Sequence, residues 1–280
     1  MITVYLQGGL GNQLFQIFAC ISYALENNCE FKLPIYNQNK KNAKGPAGHS
    51  RPTYWDSLFV NLKDNLIDNI KLYQSVLQLR ERDFQYTKIP KITCDFMLFG
   101  YFQSYKYFQA NFDKISEIIK IEHFKKEIHD KNKTLFTNDT VSMHFRLGDY
   151  KNLSAHNIMS VDYYIDALSK IIDKTKKDNF TVIYFCEDED IKDVSDKIDK
   201  INQKHLNCVF KRGKGVDWEE LLLMSLCNHN IIANSSFSWW GAYLNKNPDK
   251  IVCRPTKWFD KSFFKNTSDL CPKDWINIQK

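Results

Sequence analysis

Short apolar runs alternate with amphipathic segments along the chain, most regularly after residue 140. Residues 141–145 and 180–186 are rich in apolar and β-prone side chains, as strands covered on both faces are. Residues 161–174 and 191–203 follow these runs and carry apolar side chains at helical spacing. The same alternation continues through 208–210, 219–227, 230–233 and 239–245. The pattern predicts a parallel sheet that is covered by helices.

The first half of the chain opens with the same kind of unit. Residues 2–6 predict a strand, residues 7–12 predict a turn with three glycines, and residues 13–26 carry one apolar helical face. A second strand is predicted at 30–34, and the aromatic-rich segment 96–108 is predicted to lie mostly in the core. The order of strand, glycine turn and helix indicates a first β-α unit.

Polar segments predict a long loop within the first half and a boundary between the two halves. Residues 36–56 are polar and irregular and predict a loop, whereas residues 111–131 predict a charged amphipathic helix. Residues 132–139 are again polar and stand directly before a new strand, as a hinge would. We therefore predict an α/β protein with two domains, residues 1–131 and 132–280.

Composition narrows the class of protein. The 280 residues are 43% hydrophobic, which is enough for a sizeable core, and they contain no apolar run long enough for a transmembrane helix. The net charge of +6 is carried by scattered lysines rather than a basic stripe, which argues against a nucleic-acid partner. The positive net charge leaves peripheral membrane association open. The sequence does not indicate the oligomeric state. No secretory leader is recognised, so we expect a complete cytoplasmic protein.

The cysteines predict neither a disulfide framework nor a zinc site. No two of them form a C-x-x-C pair, and several stand inside apolar runs, where cysteine behaves as a small hydrophobic residue. We expect reduced thiols, as in the cytosol. The eight are Cys20, Cys29, Cys94, Cys186, Cys208, Cys227, Cys253 and Cys271.

The stretch that ends the 141–145 strand carries the strongest chemical signal. His144 and Arg146 are followed by Gly148, which breaks the strand, and by Asp149, which stands where a turn or helix cap would begin. α/β folds bind phosphates at such strand ends, and a guanidinium matches the geometry of a phosphate. Only six of the 39 basic residues are arginine, so Arg146 suggests geometry rather than bulk charge. The alternative is an Arg146–Asp149 ion pair that fixes a turn.

A second signal lies at residues 234–241. A short apolar strand runs into Asn-Ser-Ser, so that Ser235 and Ser236 fall at the start of a helix, where hydroxyls and free N–H groups bind anions. Ordinary helix capping explains one of these serines but not both. The following Trp239 and Trp240 predict either core packing or a stacking surface for a base or sugar.

A third signal is acidic. Residues 187–190 read Glu-Asp-Glu-Asp at the end of the 180–186 strand. They predict a divalent-metal site, a carboxylate that accepts from a nucleobase or ribose, or simply a solvated helix start. We assign a function to one or two of them at most.

Three motifs together resemble those of the α-1,2-fucosyltransferases, glycosyltransferase family 11. They are GGLGNQLFQ at 8–16, HFRLGDY at 144–150 and NSSFSWWG at 234–241. Segments 100–104 and 223–229 resemble further family segments, so the likeness spans residues 1 to about 258. Leu147 stands where many family members carry a second arginine, which changes the charge expected at the donor site.

The resemblance implies two facing Rossmann-like domains of GT-B type with parallel sheets. It implies transfer of fucose from GDP-β-L-fucose to a glycan acceptor with inversion and without an obligatory metal or other cofactor. Arg146 would contact the β-phosphate, His144 would lie beside the nucleotide, and Asn12 would face the fucose. The predicted catalytic residues are Arg146, Asp149 and Asn12; the predicted donor-binding residues are His144, Arg146, Glu187, Asp188, Ser235, Ser236, Phe237, Gly9 and Gly11.

Three other functions remain as alternatives. A transferase could use another nucleotide-activated sugar, and a binding module without turnover would keep the serine and aromatic contacts. A nucleotide-dependent oxidoreductase is less favoured because the glycine turn is not G-x-G-x-x-G. As catalytic base, Asp149 is proposed from its position alone, and a loose transition state would need no base.

Overall fold

The computed structural model describes residues 1–35, 52–68, 75–152, 157–260 and 265–279, without the side chains of Asp149 and Asn152. Most of the predicted 36–56 loop therefore lies outside the described residues. The chain folds into two compact units. The first is Met1–Phe124 with Lys265–Pro272, and the second is Lys125–Phe264 with Lys273–Lys280.

The first unit is built on parallel strands. Its strands are β1 (Ile2–Val4), β2 (Leu33–Pro34), β3 (Leu66–Ile67), β4 (Leu77–Arg80) and β5 (Phe96–Phe99). Its helices are α1 (Leu10–Asn27) and α2 (Phe112–Ile119), and α3 (Ile121–Lys131) continues into the second unit. The strands form a three-stranded sheet of order β1-β5-β4 and a β2-β3 pair, all parallel.

Two helix boundaries differ from the sequence prediction. Helix α1 begins at Leu10, with Gly9 as its extended N-cap, so the glycine turn is shorter than predicted and Asn12 lies inside the helix. The predicted helix 111–131 is two helices, because Lys120 adopts a left-handed conformation (φ 64°) and its N–H bonds back to the end of α2. A left-handed residue ends a helix even where it is not glycine.

The second unit is a six-stranded parallel sheet between helices. Its strands are β6 (Thr140–His144), β7 (Thr181–Phe185), β8 (Val209–Arg212), β9 (His229–Ile231), β10 (Val252–Pro255) and β11 (Ile276–Ile278). Its helices are α4 (Val161–Thr175), α5 (Ile191–Lys204), α6 (Asp217–Ser225) and α7 (Ser236–Tyr243). The sheet order is β11-β10-β9-β6-β7-β8, and each neighbouring pair is parallel. Counted within the unit, this is the 3-2-1-4-5-6 order of Rossmann sheets.

The core of the second unit explains why these segments are strands. Val141, Met143 and Val182 are fully buried, and they pack with the apolar faces of α4 and α5. The tryptophan pair is also buried: Trp239 and Trp240 are fully buried, and Trp239 stacks on Tyr243 with ring centroids 4.7 Å apart. The expectation of a stacking surface for a base or sugar at these two residues is therefore wrong, and core packing is confirmed.

The sequence prediction of an α/β protein with parallel sheets is confirmed, whereas the facing arrangement of two domains stays a prediction. The first unit ends at Phe124 rather than at 131, and it regains residues 265–272. Asp269 explains this return, since its backbone oxygen accepts from Ser104 Oγ (2.6 Å) and its carboxylate pairs with Lys106. Within the described residues, no helix is both long and apolar enough to cross a membrane. All eight cysteines are free thiols.

Candidate functional site

The site follows from the strand order of the second sheet. Strands β6 and β9 are neighbours, yet the chain leaves them toward opposite halves of the sheet, so their carboxyl ends flank the switch point. Open parallel sheets bind ligands in the crevice at this point. The segment after β6 carries Arg146 and Gly148, and the segment after β9 carries Asn234 and Ser235. Two of the three sequence signals therefore meet at one place.

Arg146 lies at this edge of the sheet, between an acid and an aromatic ring. Its guanidinium donates to the carboxylate of Glu187, which follows the neighbouring strand β7. The same guanidinium lies over the ring of Tyr150, with Cζ 5.2 Å from the ring centroid. The Arg146 side chain is 18% exposed, so the cation is largely shielded but still reachable. The side chain of Asp149 lies outside the described part of the structure, and its predicted role as base stays a prediction.

Gly148 is required by the turn that follows Arg146. Its φ is +24°, and a Cβ at this position would overlap the carboxylate of Glu187. Its N–H donates to Asp190 Oδ2 at 2.6 Å, and the other oxygen of that buried carboxylate accepts from Lys151 at 2.8 Å. Lys151 also pairs with Asp193, and the hydrogen bonds to Asp190 and then to Asp193 raise the pKa of the Lys151 ammonium. The turn is thus pinned from two sides.

His144 is a neutral histidine at the end of β6. Burial, and then the charge of Arg146, lower its pKa to about 3. Its backbone oxygen accepts from Tyr164 Oη at 3.0 Å, and its ring lies 5.6 Å from the ring of Phe237, centroid to centroid. Within the described residues its buried Nδ1 has no hydrogen-bond partner. A buried polar atom without a partner is costly, so this nitrogen is available for a ligand or a water.

The turn between β9 and α7 supplies the opposite wall. Ser235 is the N-cap of α7, and its Oγ accepts from the N–H of Phe237 at 3.3 Å; Ser236 is the first helical residue. Asn234 is buried, donates to the backbone oxygens of Asn157 and Trp258, and keeps an unpartnered Oδ1 within the described residues. The predicted capping by Ser235 is confirmed. Helix N-termini favour anions, so this turn suits a phosphate.

The acidic segment 187–190 divides into separate roles. Glu187 pairs with Arg146, and Asp190 is buried beneath the Gly148 turn. Asp188 is 87% exposed and pairs with Arg212 at the end of β8. Among the described residues, no group of three or more His, Cys, Asp or Glu side chains is arranged to hold a metal ion. Asp188 and Asp190, the acids of the predicted metal alternative, therefore already bond to other residues.

The predicted residues of the first unit form a separate cluster. Gly9 caps α1, and Gly11 and Asn12 lie in its first turn. Asn12 Oδ1 accepts from Gln103 Nε2 at 2.6 Å, which fixes the amide of Asn12. Gln13, buried beside them, donates to the backbone oxygen of Gly8 and holds the glycine turn. This cluster belongs to the other unit, and the roles of Gly9, Gly11 and Asn12 toward a donor stay predictions.

Sequence reasoning missed three residues that build the site. Tyr150 and Asn234 stand inside the motifs already singled out, so their positions were signalled but their contacts were not. The solvated alternative is wrong for Asp190, because this carboxylate is buried and bonded to the Gly148 turn. No local pattern distinguishes it from Asp188, since the difference depends on which side of the turn each faces.

Comparisons with known proteins place the chain in a family. The profile described as glycosyl transferase family 11 matches residues 1–279. The chain is 27% identical to an alpha-1,2-colitosyltransferase of Escherichia coli over 100% of this chain and 99% of that protein. It is 28% identical to the O-antigen biosynthesis glycosyltransferase WbnK of Escherichia coli, over 98% and 99%. It is 25% identical to a galactoside 2-alpha-L-fucosyltransferase of Caenorhabditis elegans, over 99% and 79%. The family match covers nearly the whole chain, and the protein therefore belongs to glycosyl transferase family 11.

Proposed function

We propose that this glycosyltransferase moves L-fucose from GDP-β-L-fucose to a galactoside hydroxyl of a glycan, with inversion, and forms an α-1,2 linkage. The observation that carries the proposal is the placement of Arg146 at the switch point of a Rossmann-type sheet, opposite the Ser235-capped start of α7. Both groups favour an anion, and they come from adjacent strands. The fucosyltransferase relative supports the choice of sugar and linkage.

The leaving group explains why this placement suits sugar transfer. As the bond between the anomeric carbon and the phosphate oxygen breaks, negative charge grows on the leaving diphosphate. Hydrogen-bond donors that are already in place stabilise this charge without reorganising. Such stabilisation is usually the largest single contribution to the rate of these reactions. Arg146 supplies the cation, and the N-terminal end of α7 supplies the positive end of a helix dipole. His144 adds no charge because burial keeps its pKa low, so it contributes hydrogen bonding only.

A second candidate is favoured by one of the relatives. The alpha-1,2-colitosyltransferase matches the whole chain at an identity similar to that of the fucosyltransferase. Its name supports transfer of colitose as an alternative to fucose, through the same diphosphate site. A screen of GDP-fucose and GDP-colitose with a galactoside acceptor separates the two. Calorimetry with GDP, UDP, ADP and CDP tests the nucleotide, and release of GDP with transfer of the sugar excludes a mere binding module.

Arg146→Lys tests the role of the guanidinium. Lysine keeps the charge but loses the planar fork, and loss of one preorganised donor typically costs about 10²–10³ in rate. We expect kcat to fall by this order while the melting temperature stays close to that of the wild type. Arg80→Lys is the matched control: Arg80 lies over the ring of Phe99 in the first unit, with Cζ 4.3 Å from the centroid. A stable Arg146→Lys enzyme with near-normal kcat would sink the assignment.

A further inference from the structure

We propose that Tyr150 is a positioning residue that acts through Arg146 and holds it toward the leaving diphosphate. This inference rests on the proposed function. Tyr150 belongs to the short 3₁₀ turn Gly148–Asn152, which begins two residues after Arg146. Its ring lies under the guanidinium, with Cζ of Arg146 5.2 Å from the centroid. A cation over an aromatic face is attracted by the ring quadrupole, most strongly where water is partly excluded.

The hydroxyl of Tyr150 fixes the ring that supports Arg146. Tyr150 Oη donates to the backbone oxygen of Asn234 at 2.9 Å. Asn234 directly precedes Ser235, the N-cap of α7, so one side chain connects the segment after β6 with the segment after β9. These are the two segments that flank the switch point. Tyr150 thereby sets the distance between the cation and the start of the helix.

The ion pair with Glu187 explains why such support is needed. Arg146 is drawn toward Glu187 on the β7 side, and a diphosphate must compete with that carboxylate for the guanidinium. The Tyr150 ring contacts the same guanidinium without competing for its N–H donors, because its attraction is through the ring face. The fork can then exchange a carboxylate oxygen for a phosphate oxygen while Arg146 keeps its place. If the ion pair with Glu187 alone held the Arg146 side chain, the guanidinium would move whenever that carboxylate moved.

A double-mutant cycle separates positioning from a general structural role. We expect Tyr150→Leu to lower kcat for sugar transfer about tenfold, since both the ring contact and the hydroxyl bond are lost. In the Arg146→Met background the same substitution should lower kcat less than twofold, because the cation through which Tyr150 acts is already gone. Tyr150→Phe keeps the ring and should lower kcat about threefold, again only when Arg146 is present. Equal factors in both backgrounds would show a structural role and overturn the proposal.

Pyrophosphate binding keeps this test separate from the proposed function. Calorimetry with inorganic pyrophosphate should show about fivefold weaker binding for Tyr150→Leu than for the wild type, and a less than twofold effect of the same substitution in the Arg146→Met background. If this cycle holds but no sugar is transferred, the proposed function fails and the role of Tyr150 stands. If the wild type does not bind pyrophosphate, the proposal about Tyr150 is wrong. Tyr23→Phe is the control, since Tyr23 Oη also donates to a backbone oxygen, that of Pro90, but lies in the first unit.

Discussion

Replacement of His144 should remove a large part of the acid sensitivity of this protein. The ordinary pKa of a histidine is 6.5, and in the fold burial and the charge of Arg146 lower that of His144 to about 3. The unfolded chain therefore binds a proton at this residue between pH 6.5 and 3 that the native state does not bind. Stability falls as the pH falls through this window and is fully present above it.

The magnitude follows from the size of the shift. One pKa unit corresponds to about 1.4 kcal/mol, so acidification from pH 7.5 to pH 4 crosses about 2.5 units of the window. His144 alone then accounts for a loss of about 3 kcal/mol in the free energy of unfolding. This is a large fraction of the 5–15 kcal/mol that is typical of a folded protein.

Urea unfolding at pH 7.5 and at pH 4 measures this loss. We expect the wild type to lose about 3 kcal/mol more than His144→Gln between the two conditions, since glutamine does not titrate. All other ionisable groups are shared, so their contributions cancel in the comparison. His129→Gln removes an imidazole that is 44% exposed and serves as the control. If the wild type and His144→Gln lose the same stability within about 0.5 kcal/mol, His144 is not held neutral by its site.

Two further outcomes test the turn and the acidic segment. Gly148→Ala places a Cβ against the carboxylate of Glu187 at a φ of +24°. We therefore expect the free energy of unfolding to fall by about 1–3 kcal/mol and kcat to fall as well. An unchanged urea midpoint and an unchanged kcat would contradict the steric argument. We propose that no metal is obligatory, because Arg146 already supplies positive charge and Asp190 is committed to the Gly148 turn. Activity should survive EDTA. If EDTA abolished the activity and Mn²⁺ or Mg²⁺ restored it, the acids of the segment 187–190 would be metal ligands.

Local signals were enough to predict the strand ends that form the site. A few consecutive residues predict the end of the strand before Gly148 and the helix N-cap at Ser235. The partner of Arg146 was not predictable in this way. Glu187 comes from the next strand, and only the parallel register of β6 and β7, in which His144 lies opposite Phe185, brings the two segments together.

The boundaries that sequence missed depend on backbone conformation rather than side-chain pattern. Residues 111–131 keep an apolar face throughout, so nothing in the periodicity reports the left-handed turn at Lys120. The short strands β10 and β11 were also not predicted. They are three or four residues long, and their pairing with β9 and with each other is what makes them strands. The resemblance to glycosyltransferase family 11 is confirmed, since the family profile covers nearly all of the chain.

The return of residues 265–272 to the first unit has a consequence for synthesis of the protein. Asp269 accepts from Ser104 and from the N–H of Tyr86, and pairs with Lys106, so these contacts form only once residues 265–272 have been synthesised. The second unit also takes its edge strand from the C-terminal end. Neither unit is complete until these residues are present, and a stop codon after residue 264 would leave both of them open.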